Sequence, residues 1–237
     1  EFLRIADSGF QRVAHLRPFH LPGGELAIKE PRRSALGLLY EAFGESAFTM
    51  NELAPIKSFS PIELDVLKTS LKNKINSPAT SSIGRLFDAV AGILGLIQQS
   101  SFEGQAAMSL EFALLDFPSD QLYNFKLTET NGPIIIDWEP LLKDLLADVR
   151  ASVPAGTISA KFHNTLSSII VAIAERAGIN KVVLSGGCFQ NKYLTEQTIH
   201  KLANQFQPYW HQRIPPNDGG IALGQAVSAF ILKKNRD

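Results

Sequence analysis

Two adjacent glycines, Gly186 and Gly187, stand between a short β-branched run and a helical pattern. The run is Lys181–Leu184, and its lack of alternation between apolar and polar residues is typical of a buried parallel strand. Glycines at the carboxyl end of such a strand let a phosphate or a flat ligand approach the backbone, and the following helix N-terminus favours an anion. A plain tight turn would use the same residues. The segment therefore indicates either a nucleotide site or a connecting turn.

A second glycine pair, Gly219 and Gly220, follows Asp218 in the run PPNDGG at residues 215–220. An Asp just before a helix is commonly its N-cap, which explains Asp218 without any ligand. Alternatively, a carboxylate held by a rigid Pro-Pro entry and left uncovered by two glycines suits a hard metal ion or a phosphate-bound cation. The sequence pattern leaves both interpretations open.

Glu103 and Arg85 are further candidates, each at the start of a predicted helix. A carboxylate at a helix start complements the helix dipole, and this accounts for Glu103 adequately. It could also accept hydrogen bonds from sugar hydroxyls, with Gly104 giving room for the ligand. Arg85 could reach a phosphate, although an exposed arginine on a helix is commoner.

The single cysteine, Cys188, lies between the Gly-Gly turn and a helix start, where thiolate character rises. No histidine adjoins it as a base, so a small buried residue is the favoured interpretation. The five histidines have no metal-binding spacing. We expect His163 to be buried in a helix, and His200 and His211 to lie at the surface.

Composition excludes several classes of function. The 237 residues carry 23 basic and 23 acidic side chains, so the driving force for generic nucleic-acid binding is absent. One cysteine excludes an intrachain disulfide framework and a zinc finger, and it fits a cytoplasmic setting. No apolar run approaches the ~20 residues of a membrane helix, so no membrane association is expected. Because the chain begins at Glu1 without leader character, we expect a piece of a longer protein.

Residue patterns predict a helix-rich α/β fold. Helices are predicted to begin at Pro31 and after Ser60, and to span Arg85–Ile97, Glu103–Leu115, Trp138–Val149, Thr157–Ala177, 191–206 and Ile221–Leu232. A hairpin around Asn131-Gly132 and two strands, Lys181–Leu184 and Tyr209–His211, complete the prediction.

Taken together, six stretches resemble the hydrogenase maturation carbamoyltransferase family HypF. They are HLRPF at 15–19, LPGG at 21–24, SSIGRLFDAV at 81–90, FEGQAA at 102–107, LSGGCFQN at 184–191 and PPNDGGIALGQ at 215–225. The resemblance covers the C-terminal part of that family's Kae-like domain and implies the second half of an actin-like ATPase fold. Residues 1–78 would form a helical entry segment and residues 79–237 a nucleotide-binding subdomain.

The resemblance implies a reaction and its partners. The family makes carbamoyl-adenylate from carbamoyl phosphate and ATP, and passes the carbamoyl group to the C-terminal cysteine thiol of a HypE-type acceptor. That group becomes a cyanide ligand of nickel–iron hydrogenase. The upstream HypF domains would be further partners, and a divalent metal, iron or magnesium, would have its other ligands outside this chain. No residue stands out as a catalytic base.

By the same resemblance, Gly186, Gly187 and Asn191 would line the adenine side of the nucleotide site, and Glu103 would contact the ribose. Cys188 replaces a residue that is usually aliphatic in the family, which argues against a role as nucleophile.

Asp218 would be the retained metal ligand as well as a cap, and Gly219 and Gly220 would admit the phosphates. Arg85 and Gly104 complete the predicted nucleotide-binding set. Two alternatives are a related O-carbamoyltransferase and a non-catalytic nucleotide-binding module. An isolated half-domain would expose apolar surface, so we also expect self-association.

Overall fold

The computed structural model describes residues 1–6, 9–114 and 119–234, the last four as backbone only. The strands are β1 (Phe2–Ala6), β2 (Gly9–Leu16), β3 (Phe19–His20), β4 (Ala79–Thr80), β5 (Lys126–Thr128), β6 (Ile134–Asp137), β7 (Lys181–Leu184) and β8 (Gln207–Trp210). The helices are α1 (Leu26–Lys29), α2 (Pro31–Phe43), α3 (Ala54–Lys57), α4 (Pro61–Asn73), α5 (Ile83–Ile93), α6 (Gln105–Ala113), α7 (Glu139–Arg150), α8 (Ala155–Ala177), α9 (Lys192–Leu202) and α10 (Ile221–Lys234). The predicted helix-rich α/β class is confirmed.

The chain divides into two compact units, Glu1–Thr165 and Leu166–Asp237, with the boundary inside helix α8. The division expected at residues 78 and 79 stays a prediction.

In the first unit, a four-stranded mixed sheet has the order β1-β2-β6-β5. The outer pairs are antiparallel, whereas β2 and β6 are parallel, with Leu16 opposite Ile136. Trp138, which follows β6, is almost fully buried, and its indole N–H donates to the carbonyl oxygen of Arg17 at 2.6 Å. The ring also packs edge-on against Phe19, which ties the sheet to the neighbouring chain segment.

The helical core of the first unit forms where α2 packs against α5 and α5 against α6. Both ends of α2 follow the predicted chemistry, because Pro31 occupies the first turn and Gly44 closes the helix at φ 60°. The close approach of α2 to β3 depends on Gly37, where an added Cβ would lie 1.9 Å from the carbonyl oxygen of His20.

In the second unit, β7 and β8 form a parallel pair in which Leu184 lies opposite Trp210. Leu184 packs with Ala174 of α8 and Leu202 of α9 in a small buried core. The opposite face of the pair is open to solvent, with Val183 64% exposed.

Helix boundaries differ from the predicted ones at glycines. Helix α5 ends at Ile93 rather than at residue 97, because Gly95 adopts φ 73° and turns the chain back on the helix. Helix α6 begins at Gln105 rather than Glu103, because Gly104 precedes it at φ 81°. The predicted end of this helix, Leu115, lies outside the described residues. The last predicted strand is correct in place but spans Gln207–Trp210.

Within the residues that the structure describes, no helix has the length and apolar character needed to cross a bilayer.

Candidate functional site

The Gly-Gly turn lies at the carboxyl ends of two parallel strands, as the sequence predicts. Gly186 follows β7 with φ 103°, a backbone conformation that side chains with a Cβ rarely adopt. Its N–H donates to the carbonyl oxygen of Pro216 at 2.8 Å. This bond joins the two glycine-containing segments that the sequence analysis singles out as candidates for ligand binding.

Asn191 caps helix α9 at the end of that turn. Its side-chain oxygen accepts a hydrogen bond from the backbone N–H of Leu194 at 2.8 Å, and the residue is only 8% exposed. A single 3₁₀ turn connects Gly187 to the capping residue, so the cap fixes the position of Gly187 relative to the N-terminus of α9. The adenine contact expected of Asn191 stays a prediction.

Asp218 is exposed, and the cap predicted for it belongs to its neighbour. The side-chain oxygen of Asn217 accepts from the N–H of Gly219 at 3.0 Å, because Asp218–Gly220 forms a 3₁₀ turn before α10. In the described part of the chain, no three His, Cys, Asp or Glu side chains group to hold a metal ion. Asp218 alone could supply one ligand, so these residues do not make a metal site by themselves.

In the first unit, Arg85 has a partner that the sequence analysis missed. Arg85 Nη1 lies 2.7 Å from Asp88 Oδ2 on α5, with 16% and 7% of the two side chains exposed. Burial raises the pKa of Asp88 to about 6, although the guanidinium of Arg85 opposes the shift. The i, i+3 spacing of Arg85 and Asp88 within the SSIGRLFDAV stretch is the signal that could have found this pair.

Glu103 lies in an exposed turn, two residues before helix α6. It therefore does not begin the helix, and Gly104 occupies the capping position instead. An added Cβ at Gly104 would meet nothing within 4 Å, so the backbone there is open. The ribose contact expected of Glu103 stays a prediction.

The nine predicted site residues are divided between the units. Arg85, Glu103 and Gly104 belong to the first unit. The six in the second unit are Gly186, Gly187, Asn191, Asp218, Gly219 and Gly220.

Two other residues near the Gly-Gly turn have defined environments. Burial raises the pKa of the Cys188 thiol, which keeps it protonated and agrees with the interpretation as a small, mostly buried residue. His211 is exposed, as expected, yet its Nε2 lies 3.1 Å from Ser185 Oγ, a contact that spacing along the chain could not reveal.

Comparison with known proteins identifies relatives over nearly the whole chain. The family model described as "Carbamoyltransferase, Kae1-like Domain, second subdomain" matches residues 1–225. The carbamoyltransferase HypF of Synechocystis is 40% identical over 99% of this chain and 32% of its own length. The probable carbamoyltransferase HypF of Methanocaldococcus jannaschii is 34% identical over 98% of this chain and 30% of its own length.

A solved structure of full-length HypF in the phosphate- and nucleotide-bound form superposes with a TM-score of 0.83 at 41% identity. The match covers 93% of this chain and 29% of that structure. The chain thus spans about a third of the length of these relatives.

Proposed function

This chain belongs to the HypF carbamoyltransferase family, and from that premise we propose that it forms part of an enzyme that transfers a carbamoyl group. The donor is carbamoyl-adenylate, made from ATP and carbamoyl phosphate, and the acceptor is the C-terminal cysteine thiol of a HypE-type protein. The product serves cyanide-ligand synthesis for nickel–iron hydrogenase. The other domains of the longer relatives supply the remaining steps.

One observation carries the proposal for this chain's own residues. The Gly186 N–H bond to Pro216 brings two glycine-bearing segments together at the carboxyl ends of β7 and β8. Ligands of open α/β sheets bind at that end of the strands, and a matching HypF structure is nucleotide-bound. We assign Gly186, Gly187 and Asn191 to the adenine side of the ligand, and Gly219 and Gly220 to its phosphates.

By the family resemblance we assign Glu103 to the ribose, with Gly104 leaving space beside it. The ion pair with Asp88 fixes the orientation of the Arg85 guanidinium before any phosphate binds. Asp218 would supply one ligand to a divalent metal whose other ligands come from outside the chain. A single carboxylate does not discriminate between iron and magnesium.

Transfer itself needs little covalent chemistry from these residues. The acceptor's thiolate sulfur attacks the carbamoyl carbon, the bond from that carbon to the phosphate oxygen breaks, and AMP leaves with the electron pair. Holding the adenylate rigidly and in line with the acceptor supplies much of the rate enhancement. The protein's residues described above are therefore assigned to binding, and none to proton transfer.

Calorimetric titration with ATP tests the proposed nucleotide site. We expect saturable binding that Glu103→Ala weakens, with Glu111→Ala, an acidic residue of the adjacent helix α6, as the matched control. Asp218→Ala should remove the dependence of ATP affinity on a divalent metal. If the full-length gene product does not bind ATP, the proposed site is contradicted.

A further inference from the structure

Ser185 and His211 are brought together by the pairing of β7 and β8. Leu184 and Trp210 lie opposite each other at the ends of these parallel strands, so the next residue of each strand is also adjacent. Ser185 Oγ lies 3.1 Å from His211 Nε2, within hydrogen-bond distance. The residues are 26 positions apart in the chain, and only the strand register makes them neighbours.

This contact adds little to the stability of the fold. Both side chains are exposed, and a hydrogen bond between exposed polar groups replaces similar bonds to water. The buried core of the second unit consists instead of apolar residues such as Leu184 and Leu202. A specific pair of polar side chains at the ligand end of two strands is better explained by what it presents to a ligand.

The hydrogen bond between Ser185 and His211 determines which partner the Ser185 hydroxyl hydrogen can reach. When the imidazole proton resides on Nε2, the ring donates to Ser185 Oγ and leaves the hydroxyl hydrogen free to donate elsewhere. Ser185 immediately precedes Gly186, whose backbone is fixed by its bond to Pro216. The same bond brings the hydroxyl towards the segment of Gly219, to which we assign the phosphates, so a phosphate oxygen there could accept from it.

We propose that His211 is a positioning residue that orients the Ser185 hydroxyl to donate a hydrogen bond to a phosphate oxygen of the bound nucleotide. This inference rests on the nucleotide site of the proposed function and assigns it a further binding residue. His211 acts through Ser185 and does not itself contact the nucleotide.

ATP titration of single and double variants tests the inference. We expect Ser185→Ala and His211→Ala each to weaken ATP binding about tenfold, as for a lost bond to a charged acceptor. Because one residue acts through the other, the double variant should bind no more weakly than Ser185→Ala alone. His211→Gln retains an N–H donor at a comparable distance and should keep near-wild-type affinity.

Two matched controls separate this role from a general effect on the second unit. His200→Ala on α9 and Ser228→Ala on α10 change exposed residues of the same types and should leave affinity unchanged. Thermal unfolding without nucleotide should give the wild-type midpoint for every variant, since the altered side chains are exposed.

The possible contrary results are distinct. Wild-type affinity in both single variants, additive losses in the double variant, or equal losses in His211→Gln and His211→Ala would overturn the inference while leaving the nucleotide site intact. Absence of ATP binding by the wild-type protein would overturn the inference and the proposed site together.

Discussion

Arg85 Nη1 and Asp88 Oδ2 lie 2.7 Å apart on helix α5, and both atoms are shielded from solvent. The ion pair forms one turn after Ser82 caps the helix, so the cap and the i, i+3 spacing together place both charges against the core. A buried pair of this kind contributes little net stability, because removing both charges from water offsets their attraction.

The raised pKa of Asp88 predicts a dependence of stability on pH. Because the folded-state pKa is about 6 and the ordinary value is 3.8, the folded protein binds the proton more tightly. This contribution to stability is present below pH ~4 and is lost as the pH rises through 6. The free energy of unfolding of Asp88→Asn should therefore increase relative to wild type by roughly 2 kcal/mol between pH 4 and 7.

Urea unfolding at several pH values measures this difference. Asp65→Asn, at an exposed position of α4, is the matched control and should show no comparable change. A difference between Asp88→Asn and wild type that stays constant with pH would show that the carboxylate titrates normally.

The buried His163 predicts the opposite dependence of stability on pH. The imidazole is fully buried, with Phe87 and Phe162 packed edge-on against it, and burial lowers its pKa to about 4. The unfolded chain then binds the proton more tightly, so stability falls as the pH drops from 6.5 towards 4. His163→Asn retains a donor for the carbonyl oxygen of Ser159, and it should lower stability at pH 7 but flatten the acid slope.

The slope is obtained from the unfolding midpoint recorded between pH 4 and 7. The exposed His200→Asn variant should keep the wild-type slope. Equal slopes for His163→Asn and wild type would contradict a neutral buried imidazole.

Gly37 sets the distance between α2 and β3. A methyl group there would meet the carbonyl oxygen of His20 at 1.9 Å, so backbone must move, and Gly37→Ala should cost about 3 kcal/mol or more. Gly84→Ala, in α5, is the matched control, because its Cβ would meet only Ser82 Oγ at 3.5 Å. We expect Gly84→Ala to be neutral or stabilising by up to ~1 kcal/mol. Chemical denaturation of both variants tests the close approach, which similar losses in the two would refute.

A substitution at Gly187 tests ligand binding without a large effect on the stability of the fold. In the free protein, an added Cβ would lie 3.8 Å from Gln190 Oε1, an ordinary contact, and the backbone is unstrained. Gly187→Ala should therefore change the free energy of unfolding by less than ~0.5 kcal/mol. If a nucleotide contacts this backbone, ATP affinity should fall about tenfold, as Cβ occupies the approach. Gly224→Ala in α10 is the control, and unchanged affinity in Gly187→Ala would place the ligand elsewhere.

Much of this fold follows from local chemistry in the sequence. Pro31 and Gly44 bound α2, Ser60 and Glu63 form the capping box of α4, and the β-branched run after Asn180 forms β7. The same local rules failed where a neighbouring residue could serve the same purpose, as when Asn217 rather than Asp218 made the capping bond.

Contacts between distant segments were beyond sequence reasoning for a physical reason. The bond from Gly186 to Pro216 and the contact of Ser185 with His211 depend on the register of β7 against β8, which no local pattern specifies. Asp88 was missed because a charged residue on an amphipathic helix is ordinarily solvated, whereas α5 is buried on almost every side after Arg85.

Transfer of a carbamoyl group to the acceptor thiol tests the proposed function most directly. The protein, in the length in which its gene encodes it, would be incubated with ATP, carbamoyl phosphate and a HypE-type acceptor, and the acceptor analysed by mass spectrometry. We predict one added carbamoyl group on the C-terminal cysteine, with release of AMP and a reduced rate for Glu103→Ala. An unmodified cysteine under conditions where the protein binds ATP would contradict the proposal and favour a nucleotide-binding module or a hydroxyl acceptor.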